Sequence, residues 1–236
     1  MNLLAIDTAT EKFSAAVSAG TETWAFHAYA GLRHSELLMD VIDMLMKKAN
    51  LKPTDLNGIL CMGGPGSFTG LRIGFSAAKG IALPLEIPFV PIPTLDCMAR
   101  PFFSLPEIIV PVIDAKQGAF FYVIYHRGKR LCDDMDAKPS DIALALNDTL
   151  LQHGVSDVSS RVLLTGPGAQ LLYEKLLLEE SFNYNCIING KGLVWGDAQT
   201  LLLIAREDNV FTGKSNFFSS GPEYLRKSDA EIKVFA

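Results

Sequence analysis

The chemistry available to this sequence gathers at two pairs of turns. An apolar run, Leu3-Leu4-Ala5-Ile6, ends at Asp7, and a second, Ile109-Val110-Pro111-Val112-Ile113, ends at Asp114. Gly64-Pro65-Gly66 and Gly166-Pro167-Gly168 each follow an apolar, strand-like run and precede a helical pattern. Turn amides and threonine hydroxyls donate hydrogen bonds. Asp7-Thr8-Ala9-Thr10 could therefore bind a phosphate through Thr8 and Thr10, with Asp7 and Asp114 reaching a magnesium ion through water. The alternative is a plain hairpin closed by Asx-turn bonds. The glycine-rich stretch from Gly63 to Gly74 enters a helix, where backbone amides can cradle phosphate. It holds neither Gly-Lys-Ser/Thr nor Gly-x-Gly-x-x-Gly, so it is neither a P-loop nor a dinucleotide fingerprint.

Other site chemistries are thinly represented. Cys61, Cys97, Cys132 and Cys186 are far apart and form no Cys-x-x-Cys pair, the pattern of free or buried thiols in a reducing compartment. His27, His34, His126 and His153 give no His-x-x-x-His or His-Glu-x-x-His, so no zinc or iron site is expected from this chain alone. The net charge of −5 argues against a domain that holds nucleic acid unaided. The one dense basic patch, His126-Arg127-Gly128-Lys129-Arg130, reads as a solvated hairpin tip, and any role with RNA would need a basic partner. No apolar stretch reaches the roughly 20 residues of a membrane span. The N-terminus lacks a basic leader, so the expected location is the cytoplasm.

The elements that must position these turns repeat. The acidic turns lie 107 residues apart and the Gly-Pro-Gly turns 102 apart, in the same order, which predicts a duplicated α/β unit within the 236 residues. Phe13 to Ser18 and Thr21 to Ala30 follow the first acidic turn as strands. A helix then starts at Ser35, its expected N-cap, with Leu37, Leu38, Val41, Ile42 and Leu45 in one apolar stripe. Met39, Met44 and Met46 widen that stripe, so the helix could pack a core on one side and a partner on the other. After a strand at Gly58 to Met62, Gly66, Gly70, Gly74, Ala78 and Ala82 recur every four residues. On a helix from about Ser67 to Leu83, Gly70, Gly74, Ala78 and Ala82 form a nearly bare ridge that a second backbone can approach. Each helical glycine costs about 1 kcal/mol relative to alanine, so tight packing should compensate, either inside the fold or against another subunit. Five of the twelve prolines fall between Pro84 and Pro101, the expected hinge. The halves are therefore taken as 1–100 and 101–236, with 195–236 able to pack back on the first.

The run Gly64-Pro65-Gly66-Ser67-Phe68-Thr69-Gly70-Leu71-Arg72-Ile73-Gly74 resembles the signature of the bacterial TsaB (YeaZ) family. So do Ile6-Asp7-Thr8-Ala9-Thr10, His34-Ser35-Glu36-Leu37-Leu38, Lys79-Gly80, the Asp114 hairpin and Pro222 to Arg226. The resemblance is dense to about residue 125 and sparse beyond. It implies the α/β fold shared by actin, sugar kinases and heat-shock ATPases, two ribonuclease-H-like halves each with a mixed sheet and helices. It implies a non-catalytic subunit that works with the catalytic TsaD and the ATPase TsaE to place a threonylcarbamoyl group on the adenosine beside the anticodon of tRNA. Family members pair with themselves or with TsaD through helices of the first half. That expectation places the interface on Ser35, Leu38, Val41, Ile42, Leu45, Gly66, Phe68, Gly70, Leu71, Gly74 and Ala78. TsaD relatives hold metal with paired histidines, whereas His34 stands alone, so no metal site carries over. A weaker expectation places ATP or ADP with magnesium at Asp7, Thr8, Thr10, Asp114, Gly166 and Gly168. tRNA is expected only as part of the complex, and no membrane partner is expected. Two other functions stay open: an ATP-dependent small-molecule kinase on the same fold, and a metallopeptidase, although no nucleophile–base pair is present.

Overall fold

The computed structural model describes residues 1–31, 33–154, 161–190, 196–211 and 221–226. Two compact units divide the chain. One holds Met1–Cys97 with Gly196–Tyr224, and the other holds Met98–Trp195 with Leu225–Lys227. The irregular C-terminal stretch read from the sequence lies, at 217–220 and 227–236, outside the described residues.

In the first unit the apolar run becomes β1 (Leu3–Asp7), followed by β2 (Lys12–Ala19), β3 (Glu22–Tyr29), α1 (His34–Lys48), β4 (Gly58–Met62), α2 (Phe68–Ala82) and β5 (Phe89–Ile92). A short helix α3 (Thr94–Ala99) leads out, and α6 (Ala198–Glu207) belongs to this unit. The sheet order is β3-β2-β1-β4-β5. β1, β2 and β3 pair antiparallel, and β4 and β5 add in parallel on the other side of β1. The alternation of β1 divides its side chains between two cores. Leu4 and Ile6 meet α1 and α2, while Leu3 and Ala5 meet Leu201, Leu202 and Ala205 of α6. A strand covered on both faces needs an unbroken apolar run, which is what Leu3 to Ile6 supplies.

The second unit repeats the plan. It comprises β6 (Ile108–Asp114), β7 (Phe120–Tyr122), the small hairpin β8 (Tyr125–His126) and β9 (Lys129–Arg130), and β10 (Met135–Ala137). α4 (Pro139–Gln152), β11 (Val162–Thr165), α5 (Ala169–Leu176) and β12 (Cys186–Asn189) complete it. Its principal order, β10-β7-β6-β11-β12, matches the first unit strand for strand, with antiparallel pairs on one side of β6 and parallel pairs on the other. Each unit thus has the ribonuclease-H-like order, with an acidic turn ending its central strand and a Gly-Pro-Gly turn ending the next parallel strand. The core of this unit joins Val110, Val112 and Phe120 to Ile142 and Leu146 of α4 and Leu172 of α5.

Local boundaries differ from the sequence reading in instructive ways. Arg33, not Ser35, occupies the N-cap of α1, and no side chain caps it. Ser67 does cap α2, its hydroxyl accepting from Gly70 N at 3.2 Å. The return strand expected from Ala119 to Tyr125 is split into β7 and β8, which both pair with β6. The edge strands β10 and β12 carry too few alternating apolar residues to be read as strands from sequence.

Candidate functional site

The loop between β4 and α2 is the meeting point of the first unit. Gly63 N donates to Ile92 O at 2.6 Å, Thr94 N to Gly64 O at 2.7 Å, Ser67 N to Ala9 O at 2.7 Å and Glu223 N to Gly63 O at 2.8 Å. Three segments, the Thr8–Ala9 turn, the Ile92–Thr94 stretch and the Glu223 segment, therefore converge on one glycine-rich turn. Gly64 has φ of +115° and faces the Glu223 carbonyl where a Cβ would stand, so no other residue fits.

The small-residue ridge of α2 faces this same interior. Thr8 Oγ1 donates to Gly70 O at 2.7 Å. A Cβ on Gly70 would collide with Thr8 O, and one on Gly74 would lie 2.5 Å from Thr8 Oγ1. Gly66 would place its Cβ 2.6 Å from Ala9 O. Ala78 and Ala82 are fully buried in the core between helices and sheet. The backbone that comes close to the ridge is thus the chain's own Thr8–Ala9 turn. This corrects the expectation that Gly70, Leu71, Gly74 and Ala78 meet a partner, because all four are buried within the unit. The same correction applies to Val41, Ile42 and Leu45, which are buried on the sheet side of α1. An amphipathic helix turns its apolar stripe to its own sheet first.

What α1 and α2 leave exposed is a groove between them of about 500 Å³, lined by Ser35, Leu38, Met39, Phe68, Ile73 and Ala77 among others. Of the expected interface residues it gathers Ser35, Leu38 and Phe68, with Leu38 buried at its floor. Met39 and Met44 are 55% and 40% exposed on α1, whereas Met46 is buried. The sequence reading overlooked Arg72, Ile73 and Ala77. They occupy the outward face of the same helix, and a helical projection one position off the ridge would have found them. Arg72 lies in the lining too, its guanidinium 3.8 Å from the centroid of Phe68. Its Nε donates to Tyr224 Oη at 3.2 Å, and the Phe68 and Tyr224 rings stand 4.7 Å apart. The role of Tyr224 becomes legible here: with Phe68 and Arg72 it forms a stack at the end of the groove, holding the C-terminal segment to α2.

The acidic turns are engaged internally. Asp7 is buried. Its Oδ1 accepts from Ala9 N at 3.0 Å and its Oδ2 from Ser14 Oγ at 3.3 Å. Burial, helped by the nearby Asp197 carboxylate, pushes its carboxyl up to about 7 against the pull of the Ala9 amide. Ser14 Oγ also accepts from Ala198 N at 3.0 Å, and Asp197 caps α6 by accepting from Gln199 N and Thr200 N. Thr10 Oγ1 accepts from Lys12 N at 3.2 Å. In the second unit Asp114 accepts from Lys116 N at 2.8 Å and Lys116 Nζ at 3.0 Å. Gly166 and Gly168 lie tight against β6, with Gly168 N donating to Val112 O at 3.0 Å. Asp7, Thr8, Thr10 and both glycines of the second turn are thus each bonded within their own unit. His34 is buried edge-on to Phe13, and burial holds its imidazole below the ordinary histidine range. Among the described residues no three His, Cys, Asp or Glu side chains gather as a metal site would require.

This architecture defines the class, a duplicated ribonuclease-H-like α/β protein. The solved structure of YeaZ from Pseudomonas aeruginosa shares the fold with a TM-score of 0.77 at 19% identity, covering 95% of this chain and 99% of that one. A family model described as TsaD, tRNA N6-adenosine threonylcarbamoyltransferase, matches residues 28–234. The tRNA threonylcarbamoyladenosine biosynthesis protein TsaB of Bacillus subtilis (strain 168) is 27% identical over 99% of this chain and 97% of its own length. TsaB of Escherichia coli (strain K12) is 33% identical over 54% of this chain and 56% of its own length. The chain belongs to the TsaD family, on its TsaB (YeaZ) branch.

Two outcomes follow from this geometry. Gly70→Ala, which would add about 1 kcal/mol of helix propensity at an open site, should instead destabilise the protein by about 1–3 kcal/mol through overpacking against Thr8. Thermal melting reads the sign directly. Asp7 has a folded pKa raised above its unfolded value, so its contribution to stability falls as pH rises from about 4 to about 7 and stays low above that. The melting temperature of Asp7→Asn minus that of the wild type should therefore increase between pH 5 and pH 8.

Proposed function

We propose that this chain is a non-catalytic subunit of the machinery that threonylcarbamoylates the adenosine next to the anticodon of tRNA. In this reading it acts in the cytoplasm with a TsaD-type transferase and a TsaE-type ATPase. The exposed groove between α1 and α2 is the docking face for the transferase, and a second copy of the chain occupies it when the transferase is absent. Family membership supports the pathway. The observation that carries the subunit role is the contrast between the two candidate regions. The turns that would grip a nucleotide have their side chains bonded within their own unit, while the groove presents unpartnered apolar surface. Exposed methionines adapt to a partner's contours, and an aromatic–arginine stack at the groove end provides anchors of the type that dominate interfaces.

Charge placed in the groove tests the docking face. Met39→Glu combined with Ser76→Arg changes two side chains exposed on the outer faces of α1 and α2. The double variant should keep its melting temperature within a few degrees, lose co-purification with the transferase by at least roughly tenfold in affinity, and lower tRNA threonylcarbamoylation in parallel. Wild-type co-purification by a folded variant would refute this docking face. The kinase reading makes the opposite demand on the turns. Calorimetry of the lone chain with Mg·ATP should give no saturable heat at micromolar concentrations, and tight binding would favour a nucleotide-dependent enzyme.

A further inference from the structure

The β8–β9 hairpin of the second unit is not used by the docking face. Its tip is Arg127-Gly128, with φ of +50° and +71°. Two consecutive left-handed residues are the geometry of a type I′ turn, whose first position favours asparagine, aspartate or glycine. Arginine there gives up turn propensity while the glycine behind it is retained. A residue held in a disfavoured conformation at an exposed tip points to a use for its side chain. The tip is also braced from beneath. The missing Cβ of Gly128 would lie 3.4 Å from Phe103, the Phe103 ring stands 5.1 Å from Tyr125, and the Arg100 guanidinium lies 5.6 Å from the Phe103 centroid.

Among the described residues neither Arg127 nor Lys129 has a carboxylate partner, and both are exposed. Arg130, at the far end of the hairpin, is paired with Asp134. Ile108 of β6 pairs with His126 on one side, and its N–H donates to Arg161 O on the other, so Arg161 lies across β6 from the hairpin, at the same end of the sheet. Glu107, next to Ile108, is buried and accepts from Arg161 Nη2 at 2.7 Å, while the arginine side chain stays exposed. Burial and the adjacent Arg127 charge hold the His126 imidazole below its ordinary range, consistent with a local positive field. This end of β6 is opposite the one bearing Asp114, so it is independent of the nucleotide question.

We infer that the Arg127–Lys129 tip is a contact for the sugar–phosphate backbone of tRNA, delivered by this chain when it is part of the assembly. The inference rests on the pathway reading above and adds the surface. The net charge of −5 argues against RNA binding by this chain unaided, but a braced cationic tip can add a few phosphate contacts to those of a partner.

The test uses the assembly of this chain with its transferase and an unmodified tRNA transcript, with binding measured across a salt series. Arg127→Glu/Lys129→Glu should lower affinity about tenfold or more and flatten the slope of log K against log salt by about 2. Arg127→Lys/Lys129→Arg should retain wild-type binding. Unchanged affinity and slope in the charge-reversed assembly would overturn the inference. Loss of transferase co-purification by that variant would overturn it as well, by assigning the tip to a protein contact. If wild-type chain adds nothing to tRNA modification by the transferase, the pathway reading itself falls. Failure of the tip alone leaves that wild-type stimulation intact.

Discussion

The first unit depends on how closely the Thr8–Ala9 turn approaches the start of α2. Two backbones meet there with no side chain between them, because Gly66, Gly70 and Gly74 present bare surface to the turn. That approach lets Thr8 Oγ1 reach Gly70 O and Ser67 N reach Ala9 O. These bonds fix the entry angle of α2, which settles which side of the helix faces the sheet and which faces out. The outward side, carrying Phe68, Arg72, Ile73 and Ala77, then lies opposite α1 and forms the groove. A glycine cost of about 1 kcal/mol per site is offset by packing that any larger residue would exclude.

The same constraint organises the polar interior. Bringing the turn down onto α2 buries Asp7, and a buried carboxyl must be neutralised or bonded. Here it is both, raised to about 7 by burial and given two donors, Ala9 N and Ser14 Oγ. Ser14 passes the connection on to Ala198 N at the head of α6, on the far face of the sheet. One hydroxyl thereby ties the central strand, the turn and the helix behind it. The polar atoms at this end of the sheet are consumed by closure of the unit.

The duplication was legible because it leaves two kinds of turn at matched offsets, and turns are read from a few residue types rather than from long patterns. The repeated α/β unit and the hairpin after each acidic turn followed from it, whereas the ribonuclease-H-like architecture was expected only from the family resemblance. The interface was legible only in part. Sequence shows that Gly70, Gly74 and Ala78 admit a close neighbour, but the identity of that neighbour depends on Thr8, 62 residues from Gly70, and no local pattern reports a contact at that separation. Leu38, Val41, Ile42 and Leu45 were assigned outward for a similar reason: a stripe wide enough for two faces does not say which is turned inward. Met39 and Met44 lay off the stripe and remain exposed. The short edge strands β10 and β12 escaped notice because pairing with β7 and β11, rather than their own composition, makes them strands.

The two units use their equivalent turns differently. In the first, Asp7 is enclosed, its carboxyl raised to about 7 by burial and bonded by Ala9 N and Ser14 Oγ. In the second, Asp114 is only half buried and is answered by Lys116, with Lys116 and Gln117 both at positive φ in the turn. A phosphate grip needs several amides converging on empty space. Here the amides of Ala9 and Lys116 already point at the carboxylates of their own turns. One architecture can carry different functions, so what the turns of a relative do does not transfer with the fold. Away from these turns, the surface of this chain offers an apolar groove in the first unit and a braced cationic tip in the second.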